Sequence, residues 1–379
     1  MNANKLIAAG LPMIAVTYGL SRFSYGLLLP HISESVHMDQ STSGLISSLS
    51  YIAYCISIAA VMAFSAKFSP RSILLAAGLL SVVGLGIISV SPDPFILGLG
   101  IFVAGLSTGL ASPPYADIVS TNIEEKRQNQ TNSWINSGTS IGTVLTGCIA
   151  IVMAERWRES YWIFIGMAIV TLFVNYKVLP KQQAPNKKEI HAPSKEEWMR
   201  SIRLMIASLL LGLSCTPYWT FSRDYMLTLD SVPAYLGEWF WVIIGLAGLL
   251  GGTAGVFINK FGLLKAYWLS VAALSTSSLI LGMNPGSIII GFLSPVLFGS
   301  SYIFVTGAII VWGISLFKTN PSFGIAVPFL LLALGQATGS IFAGQIADSA
   351  GYNTLFIGAA VMGFVALVFW PKIKENSNG

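Results

Sequence analysis

The sequence predicts an all-α membrane protein in which twelve transmembrane helices form two pseudo-symmetric six-helix bundles around a central cavity. Hydrophobic residues make up 54% of the chain and charged residues only 10%, whereas soluble domains average about 25% charged residues. Twelve apolar runs are each long enough to cross a bilayer, and ten-residue segments of alternating polarity, typical of membrane β-barrels, are absent. One long polar stretch lies at the midpoint of the chain.

The apolar runs and this polar stretch define the domain boundaries. We expect an N-terminal bundle over residues 1–180, a cytoplasmic linker over 181–200 and a C-terminal bundle over 201–379. The first run has no small-residue cleavage site after it, so it is interpreted as a retained helix. The predicted spans lie near 6–29, 42–64, 72–90, 94–116, 132–154, 160–179, 201–222, 235–258, 263–282, 286–310, 320–346 and 352–370.

The basic residues predict the orientation of these helices. With a cytoplasmic N-terminus, every Lys and Arg lies on the cytoplasmic side except Arg22 inside the first span and Arg156, Arg158 and Arg223 on the outer side. The positive-inside rule therefore places both termini in the cytoplasm and the protein in the cytoplasmic membrane. The net charge of +5 is explained by the anionic inner lipid face and does not require a nucleic-acid partner.

Two internal alignments indicate a duplicated six-helix unit. A shift of 193 positions places "GLSRFSY" from Gly19 on "GLSCTPY" from Gly212. A shift of 197 places the fifth-helix glycines on those of the eleventh helix, namely Gly138, Gly142 and Gly147 on Gly335, Gly339 and Gly344. Repeated halves of this kind meet around a site near the bilayer midplane and rock about it, and glycines four residues apart let helices approach closely.

Over its whole length the chain resembles the major facilitator superfamily, with twelve spans, a central cytoplasmic loop and repeated halves. In that family a G-x-x-x-D-R-x-G-R motif joins helices two and three, and a related motif joins helices eight and nine. The first copy here is "AKFSPR", in which Ala66 replaces the acidic residue while basic character persists at Lys67 and Arg71. The second copy, "GVFINKFG", is closer to the family pattern at Gly255, Asn259, Lys260 and Gly262.

Two further segments are similar to outer turns of the same family. They are "ERWRESYW" from Glu155 and "GQIADSAG" from Gly344, which contains Asp348. The element "SRFSYGLLLP" is similar to a bacterial branch called YbfB/YjiJ-like, and this branch implies no particular substrate. The resemblance implies transport by alternating access, with the motif residues and the paired glycines acting in gating.

Arg22 is the most informative single residue of the sequence. A central intramembrane arginine costs at least about 2.5–3.5 kcal/mol, so such residues usually face a cavity or a partner. We expect Arg22 to line the cavity; anchoring to backbone carbonyls or waters and snorkelling to the outer surface are the alternatives. Its repeat counterpart is Cys215. The charge is therefore asymmetric and favours a substrate group that is anionic or rich in acceptors.

Aromatic residues with polar tips lie at a similar depth and suit an amphipathic substrate. The alternatives are an interfacial aromatic belt for Trp239 and its neighbour Trp241, and ordinary packing or interhelical bonding for the others. The predicted substrate contacts besides Arg22 are Tyr18, Tyr25, Tyr51, Tyr54, Tyr218, Trp219, Trp239, Tyr302 and Gln336, with Asn136 as a further polar candidate.

The coupling ion is less clearly indicated. All 16 acidic residues lie in loops or at helix ends, and Asp117 and Glu238 come closest to membrane depth. These two residues and Arg22 are the coupling candidates. The helix-four arginine and helix-five proline of many family antiporters are absent. Efflux by proton antiport therefore follows from the frequency of that mechanism in the family, with uptake symport or uniport as alternatives.

The sequence thus predicts a secondary transporter of a small amphipathic organic molecule with an anionic group, acting as a monomer among membrane lipids with protons as the candidate coupling ion. No cofactor, metal site or catalytic residue is expected, because three scattered His and three scattered Cys form no such cluster. A primary pump is disfavoured because no phosphate-binding loop is present. A membrane sensor that transports nothing is the alternative from another functional class.

Overall fold

The computed structural model describes residues 2–64, 67–181, 194–317 and 321–372, and these residues form helices joined by short turns, without a strand among them. Most of the predicted linker lies outside the described residues. So do Ala66 and four of the basic residues that set the predicted orientation, Lys187, Lys188, Lys318 and Lys374.

The helices follow the predicted spans. The last long helix, Pro321–Ala366, is broken by non-helical Gly351 into α11 (321–350) and α12 (352–366). The helix α8, Ala234–Gly251, has a second arm, Ala254–Phe261, bent by 43° from the first. With these divisions the described residues hold the twelve helices of the predicted all-α fold. The others are α1 Ala3–Val36, α2 Gln40–Phe64, α3 Pro70–Ser89, α4 Pro94–Asn122, α5 Glu125–Met153, α6 Trp157–Val178, α7 Lys195–Leu227, α9 Leu263–Met283 and α10 Ile288–Leu316.

Capping residues explain where several helices begin. Ser69 and Asp93 accept hydrogen bonds from backbone N–H groups three residues later, and each is followed by a proline at the first helical position. The helix α7 begins at Lys195, six residues before the predicted span, because Ser194 and Glu197 form a reciprocal capping box outside the apolar run. The hydrophobic pattern therefore marks the membrane-spanning part of each helix and not its polar extension.

The two halves of the chain, α1–α6 and α7–α12, pack against each other along three helix pairs. These pairs are α2 with α11, α5 with α8, and α1 with α7. Successive helices run in opposite directions, so one side of the molecule carries both ends of the described chain. We call this the termini side and the other the opposite side.

The two glycine runs make equivalent contacts in the two halves. Within each half, a Cβ on Gly138 would lie 2.3 Å from the Leu11 carbonyl oxygen, and a Cβ on Gly335 would lie 2.2 Å from the Leu209 carbonyl oxygen. Each run therefore packs backbone to backbone on the first helix of its own half, as a duplicated unit requires.

The last glycine of each run contacts the other half instead. A Cβ on Gly147 of α5 would lie 3.0 Å from the backbone nitrogen of Val242 in α8. A Cβ on Gly344 of α11 would lie 2.3 Å from the carbonyl oxygen of Gln40 in α2. Both runs thus join the interior of a half to the interface between the halves.

Two further glycines adopt a backbone conformation that other residues rarely reach. Gly262 has φ 86° and ψ 157°, and Gly351 has φ 80° and ψ 168°. Each lies at the turn between two helices, and this region of φ/ψ is populated essentially by glycine alone.

We expect the substitutions Gly262→Ala and Gly351→Ala each to destabilise the folded protein by about 1–3 kcal/mol, because a Cβ strains this backbone conformation. The apparent melting temperature of the purified protein measures the effect. Gly358→Ala is the matched control, because Gly358 lies within α12 with nothing within 4 Å of an added Cβ. Equal melting temperatures for all three variants would contradict the prediction.

Candidate functional site

The centre of the molecule is organised around Arg22 of α1. Residues Ala15–Phe23 of this helix adopt π-helical geometry, between Pro12 on one side and Pro30 on the other. Such widened turns are rare and recur at functional sites. The Arg22 side chain is only 7% exposed, so it points into the protein and does not extend to the surface.

The contacts found for Arg22 are with neutral groups. Its Nη2 donates a hydrogen bond of 2.7 Å to Oε1 of Gln336 in α11, which joins the two halves. Its Cζ lies 4.6 Å from the ring centroids of both Tyr51 and Tyr54, within cation–π range. A buried guanidinium held by an amide and two rings keeps its full positive charge available to a ligand.

Gln336 connects Arg22 to the second half. Its Nε2 donates long hydrogen bonds of 3.4 Å to the Tyr302 hydroxyl and to Sγ of Cys215. Cys215 is the repeat counterpart of Arg22, so the equivalent positions of α1 and α7 both contact the same amide group. Three of the predicted polar contacts, Arg22, Gln336 and Tyr302, are therefore brought together.

An aromatic wall completes this cluster. The Trp219 ring of α7 stacks on Phe23 of α1 at 4.0 Å between ring centroids and meets Tyr302 edge-on at 5.2 Å. Toward the termini side, Tyr18 lies edge-on to Tyr54 at 6.4 Å, and its hydroxyl is 3.1 Å from Ser112 Oγ. Aromatic side chains from both halves thus surround the guanidinium.

Tyr218 and Trp239 lie outside the cluster, and Tyr25 lies at its edge, beside the void described below. The Tyr25 hydroxyl donates to the carbonyl oxygen of Ser43 within the first half. Tyr218 points into the interior of the second half, where its hydroxyl is 2.7 Å from Ser294 Oγ. Trp239 is 47% exposed, in keeping with the alternative of an interfacial position. Its neighbour Trp241 is fully buried and meets Trp219 at 5.7 Å.

The coupling candidates lie toward helix ends. Asp117 is exposed near the termini-side end of α4, and Glu238 is partly exposed near the opposite-side end of α8. Asn136 is exposed at the end of the polar first part of α5. None of these three residues is among those found in contact with Arg22 in the described structure.

A small void lies beside Arg22 on the opposite-side half of the interface. Its volume is about 10 Å³, roughly the space that one water molecule needs. A void of this size does not accommodate an organic ligand unless the halves move apart here. The void is lined by Arg22, Phe23, Tyr25, Gly26, Ser47, Ser50, Tyr51, Trp219 and Thr220.

Polar contacts close the interface on the opposite side. Asp348 of α11 accepts hydrogen bonds from the backbone N–H groups of Gln40 and Ser41 at 3.2 and 2.7 Å, and also from the Ser41 hydroxyl. It therefore binds the positive end of the α2 dipole from the other half. Asp39 caps the same helix locally, and hydrogen bonds from Thr42 lower the pKa of the Asp39 carboxyl.

Arg223 adds a second connection that hydropathy did not reveal. The sequence places it on the outer side, and in the structure it is only 2% exposed and its Nη1 donates at 2.5 Å to the Leu27 carbonyl oxygen of α1. The buried charge thus satisfies a backbone acceptor of the other half. A pairing of that kind leaves no local signal in a sequence.

We expect the substitution Asp348→Asn to loosen closure on the opposite side, because a carboxylate at a helix N-terminus contributes about 0.3–1 kcal/mol. The substitution Ser47→Cys places a thiol between the halves, where Ser47 Oγ lies 3.0 Å from Thr220 Oγ1. The alkylation rate of this thiol, measured in a Cys148→Ser background, reports opening of the opposite side. The rate should rise about two- to fivefold. Asp230→Asn, on an exposed turn of the same side, should leave the rate unchanged; an equal rise in both variants would contradict the prediction.

The family-motif residues on the termini side make contacts within their own halves. Arg71 Nη2 donates at 2.6 Å to the Tyr176 carbonyl oxygen, which ties the start of α3 to the end of α6. The Lys67 ammonium lies over the Phe64 ring, and the Lys260 ammonium over Phe261. Asn259 is exposed, and Gly255 has open space beside it. The gating role of these residues stays a prediction.

The sequence-family model described as Major Facilitator Superfamily matches residues 13–327 of the chain. The chain belongs to the major facilitator superfamily. This membership confirms the resemblance found in the sequence at the level of the superfamily, and the narrower YbfB/YjiJ-like branch stays a prediction.

Individual relatives of this superfamily member are distant. The gentisate transporter of Corynebacterium glutamicum is 22% identical over 171 residues, which cover 44% of this chain and only 38% of the relative. The transcription regulatory protein OpdE of Pseudomonas aeruginosa is 22% identical over 307 residues, covering 76% of this chain and 74% of the relative. The xylose transporter XylE of E. coli, in a partially occluded inward-open conformation, superimposes with a TM-score of 0.78 at 15% identity, covering 100% of this chain and 99% of that one. The last similarity shows the shared fold.

Proposed function

We propose that the protein is a secondary transporter that moves a small amphipathic organic molecule with an anionic group across the cytoplasmic membrane by alternating access. Membership of a superfamily of transporters and the twelve-helix fold support a carrier and not an enzyme. The observation that carries the proposal is the position of Arg22, a charged side chain buried between two halves with an amide and aromatic rings as its partners. Such a group is stabilised further by an anionic ligand.

The contacts between the halves support a mechanism. The opposite side is closed by Asp348 and Arg223, and the direct bond from Arg22 to Gln336 holds the centre together. A substrate that takes acceptor positions on Arg22 weakens this bond. The free energy of binding then favours a rearrangement of one half against the other, which is the requirement for alternating access.

The distribution of Lys and Arg supports cytoplasmic termini. In that orientation the closed opposite side faces outward, and the structure corresponds to a state that is sealed from the outside. The buried Arg223 and the exposed Asp348 then lie at the external end of the interface, where they hold the carrier shut between cycles.

We propose that the protein exports its substrate by proton antiport, with uptake by symport and uniport as the competing modes. Asp117, Glu238 and Arg22 are the groups whose substitution tests coupling. Since Asp117 and Glu238 lie toward helix ends, a coupling proton acts on the gates at those ends more directly than on the central guanidinium.

Reconstitution into proteoliposomes tests the function. Purified protein is assayed with a panel of organic anions and neutral compounds by solid-supported-membrane electrophysiology and by counterflow of labelled compound, at two pH values. Substrate-dependent currents or counterflow above protein-free liposomes support a carrier, and a dependence on the pH gradient supports proton coupling. Binding without any translocation of the bound compound would contradict the proposal.

A membrane sensor is the second candidate, since the relative OpdE is described as a transcription regulatory protein. The same liposome assay separates the two functions. A sensor binds its ligand and changes conformation without accumulating labelled compound inside the vesicles, whereas a carrier exchanges it across the membrane.

A further inference from the structure

Three donors around the central void have no hydrogen-bond partner among the described residues. Buried side-chain atoms without a hydrogen bond include Arg22 Nε, Ser50 Oγ and Trp219 Nε1, and all three residues line the void of about 10 Å³ beside the guanidinium. Their side chains are 7%, 4% and 5% exposed, respectively. Leaving such groups unpaired in the interior costs free energy, about 1–3 kcal/mol each.

These unpaired groups share one chemical character. Arg and Trp can only donate hydrogen bonds, and a serine hydroxyl can donate one. None of the nine residues that line the void is acidic. A ligand that satisfies the site therefore has to bring acceptor atoms, and the neighbouring positive charge makes anionic acceptors the most favourable.

The geometry of the guanidinium indicates how the acceptors are arranged. Nε–H and Nη2–H lie on the same edge of the arginine fork, and this edge binds a carboxylate through two parallel hydrogen bonds. In the structure Nη2 donates to Oε1 of Gln336 at 2.7 Å, whereas Nε has no partner within the described part of the chain. The amide oxygen of Gln336 thus occupies the place that one oxygen of a bound carboxylate would take. The place of the other carboxylate oxygen borders the small void.

We propose that this site, in a carrier with the function proposed above, binds the carboxylate of a small organic monocarboxylate, and that Gln336 occupies one oxygen position until the substrate displaces it. One carboxylate oxygen enters the void and accepts from Arg22 Nε, with Ser50 and Trp219 as further donors. The other oxygen replaces Gln336 Oε1 on Nη2. Displacement of Gln336 removes the bond between α1 and α11, so occupancy of the site releases the two halves.

The surrounding rings select the rest of the substrate. Phe23, Tyr51 and Trp219 form apolar walls beside the donors, which suit an apolar body and leave further charge without partners. A phosphate or sulfate group would place additional charged oxygens against these rings, at a large desolvation cost. The site therefore favours a planar carboxylate attached to a compact apolar group.

Paired acids and amides test this proposal on the purified full-length protein. Thermal stability is measured with butyrate, benzoate and phenylacetate, each beside its uncharged primary amide, and with inorganic phosphate. At least one carboxylate should raise the melting temperature in a concentration-dependent manner, while its amide and phosphate do not. Equal stabilisation by acid and amide, stabilisation by phosphate alone, or no stabilisation by any compound would overturn the inference.

Matched variants then locate the site. Ser50→Ala and Trp219→Phe each remove one donor and should weaken carboxylate binding by about tenfold. Gln336→Glu supplies a permanent internal carboxylate to Arg22 and should abolish carboxylate binding, whereas Gln336→Ala vacates the position and should preserve or strengthen it. The controls are Ser81→Ala and Trp241→Phe, which remove equally buried, unpartnered donors that do not line the void.

The results separate this inference from the proposed function. Carboxylate binding with the expected pattern of variants, but without translocation in liposomes, leaves the site assignment intact and contradicts transport. Translocation of a neutral compound that is indifferent to Gln336→Glu supports transport and overturns the carboxylate site. Retained carboxylate binding in Gln336→Glu overturns the inference in either case.

Discussion

Replacing Arg22 with glutamine is expected to reduce transport by about 100-fold or more. Glutamine retains a polar side chain but loses the charge, the planar fork and the reach to Gln336 across the interface. A hydrogen bond to a charged group contributes about 1.5–3 kcal/mol, and two such bonds to a substrate therefore correspond to at least two orders of magnitude in binding. Uptake or counterflow per folded protein in liposomes measures the loss.

Two controls make this result specific. Arg22→Lys keeps the charge but cannot form the bidentate contact, so it should retain a small fraction of the activity. Arg156→Gln removes a cation whose side chain is 73% exposed at the periphery of the first half and should transport normally. Similar melting temperatures for all variants show that folding is intact. Full activity in Arg22→Gln would show that Arg22 does not bind the substrate.

Substitution of Gly26 with valine is the second change with a large expected effect. A Cβ at this position would lie 2.0 Å from the carbonyl oxygen of Trp219, so α1 and α7 cannot approach as they do here. Overpacking of this kind costs about 1–3 kcal/mol. Because this contact joins the two halves, we expect the cost to fall on the closed state and the equilibrium to shift about 5- to 150-fold toward opening.

Two measurements check this shift. The alkylation rate of a cysteine at Ser47 should rise in proportion to the open population, and transport should fall because the carrier no longer returns to the closed state. Gly86→Val is the matched control, since Gly86 lies in α3 with nothing within 4 Å of an added Cβ. Unchanged alkylation in Gly26→Val, or an equal effect of both substitutions, would show that this contact does not govern closure.

Much of the fold could be predicted from the sequence because a bilayer imposes its own length scale. Each apolar run had to be about 20 residues long, and no irregular backbone can face lipid, so the order and extent of the twelve helices followed. The glycine runs were also informative, since glycines four residues apart in a membrane helix usually mark a close contact between helices. Arg22 and Gln336 were found for a related reason: polar groups at that depth need partners.

The contacts that complete the site could not be read in the same way. Tyr218 and Trp219 are adjacent in sequence, yet one enters the interior of its own half and the other faces Arg22, a difference set by the rotation of α7. Ser50 is one of many serines in an apolar helix, and only its lack of a partner beside the void distinguishes it. Such distinctions arise from the way distant helices meet.

The glycines at the contact between α5 and α8 have a mechanical consequence. A Cβ on Gly245 would lie 2.8 Å from the backbone nitrogen of Val144, and one on Gly147 would lie 3.0 Å from that of Val242. At each of these glycines the Cγ2 methyl of the facing valine lies closer still, 2.7 Å from the added Cβ, so a short side chain of one half fits into a glycine gap of the other. A joint of this kind can be leak-tight when shut and still part readily, because a valine methyl is a small group to withdraw from such a gap.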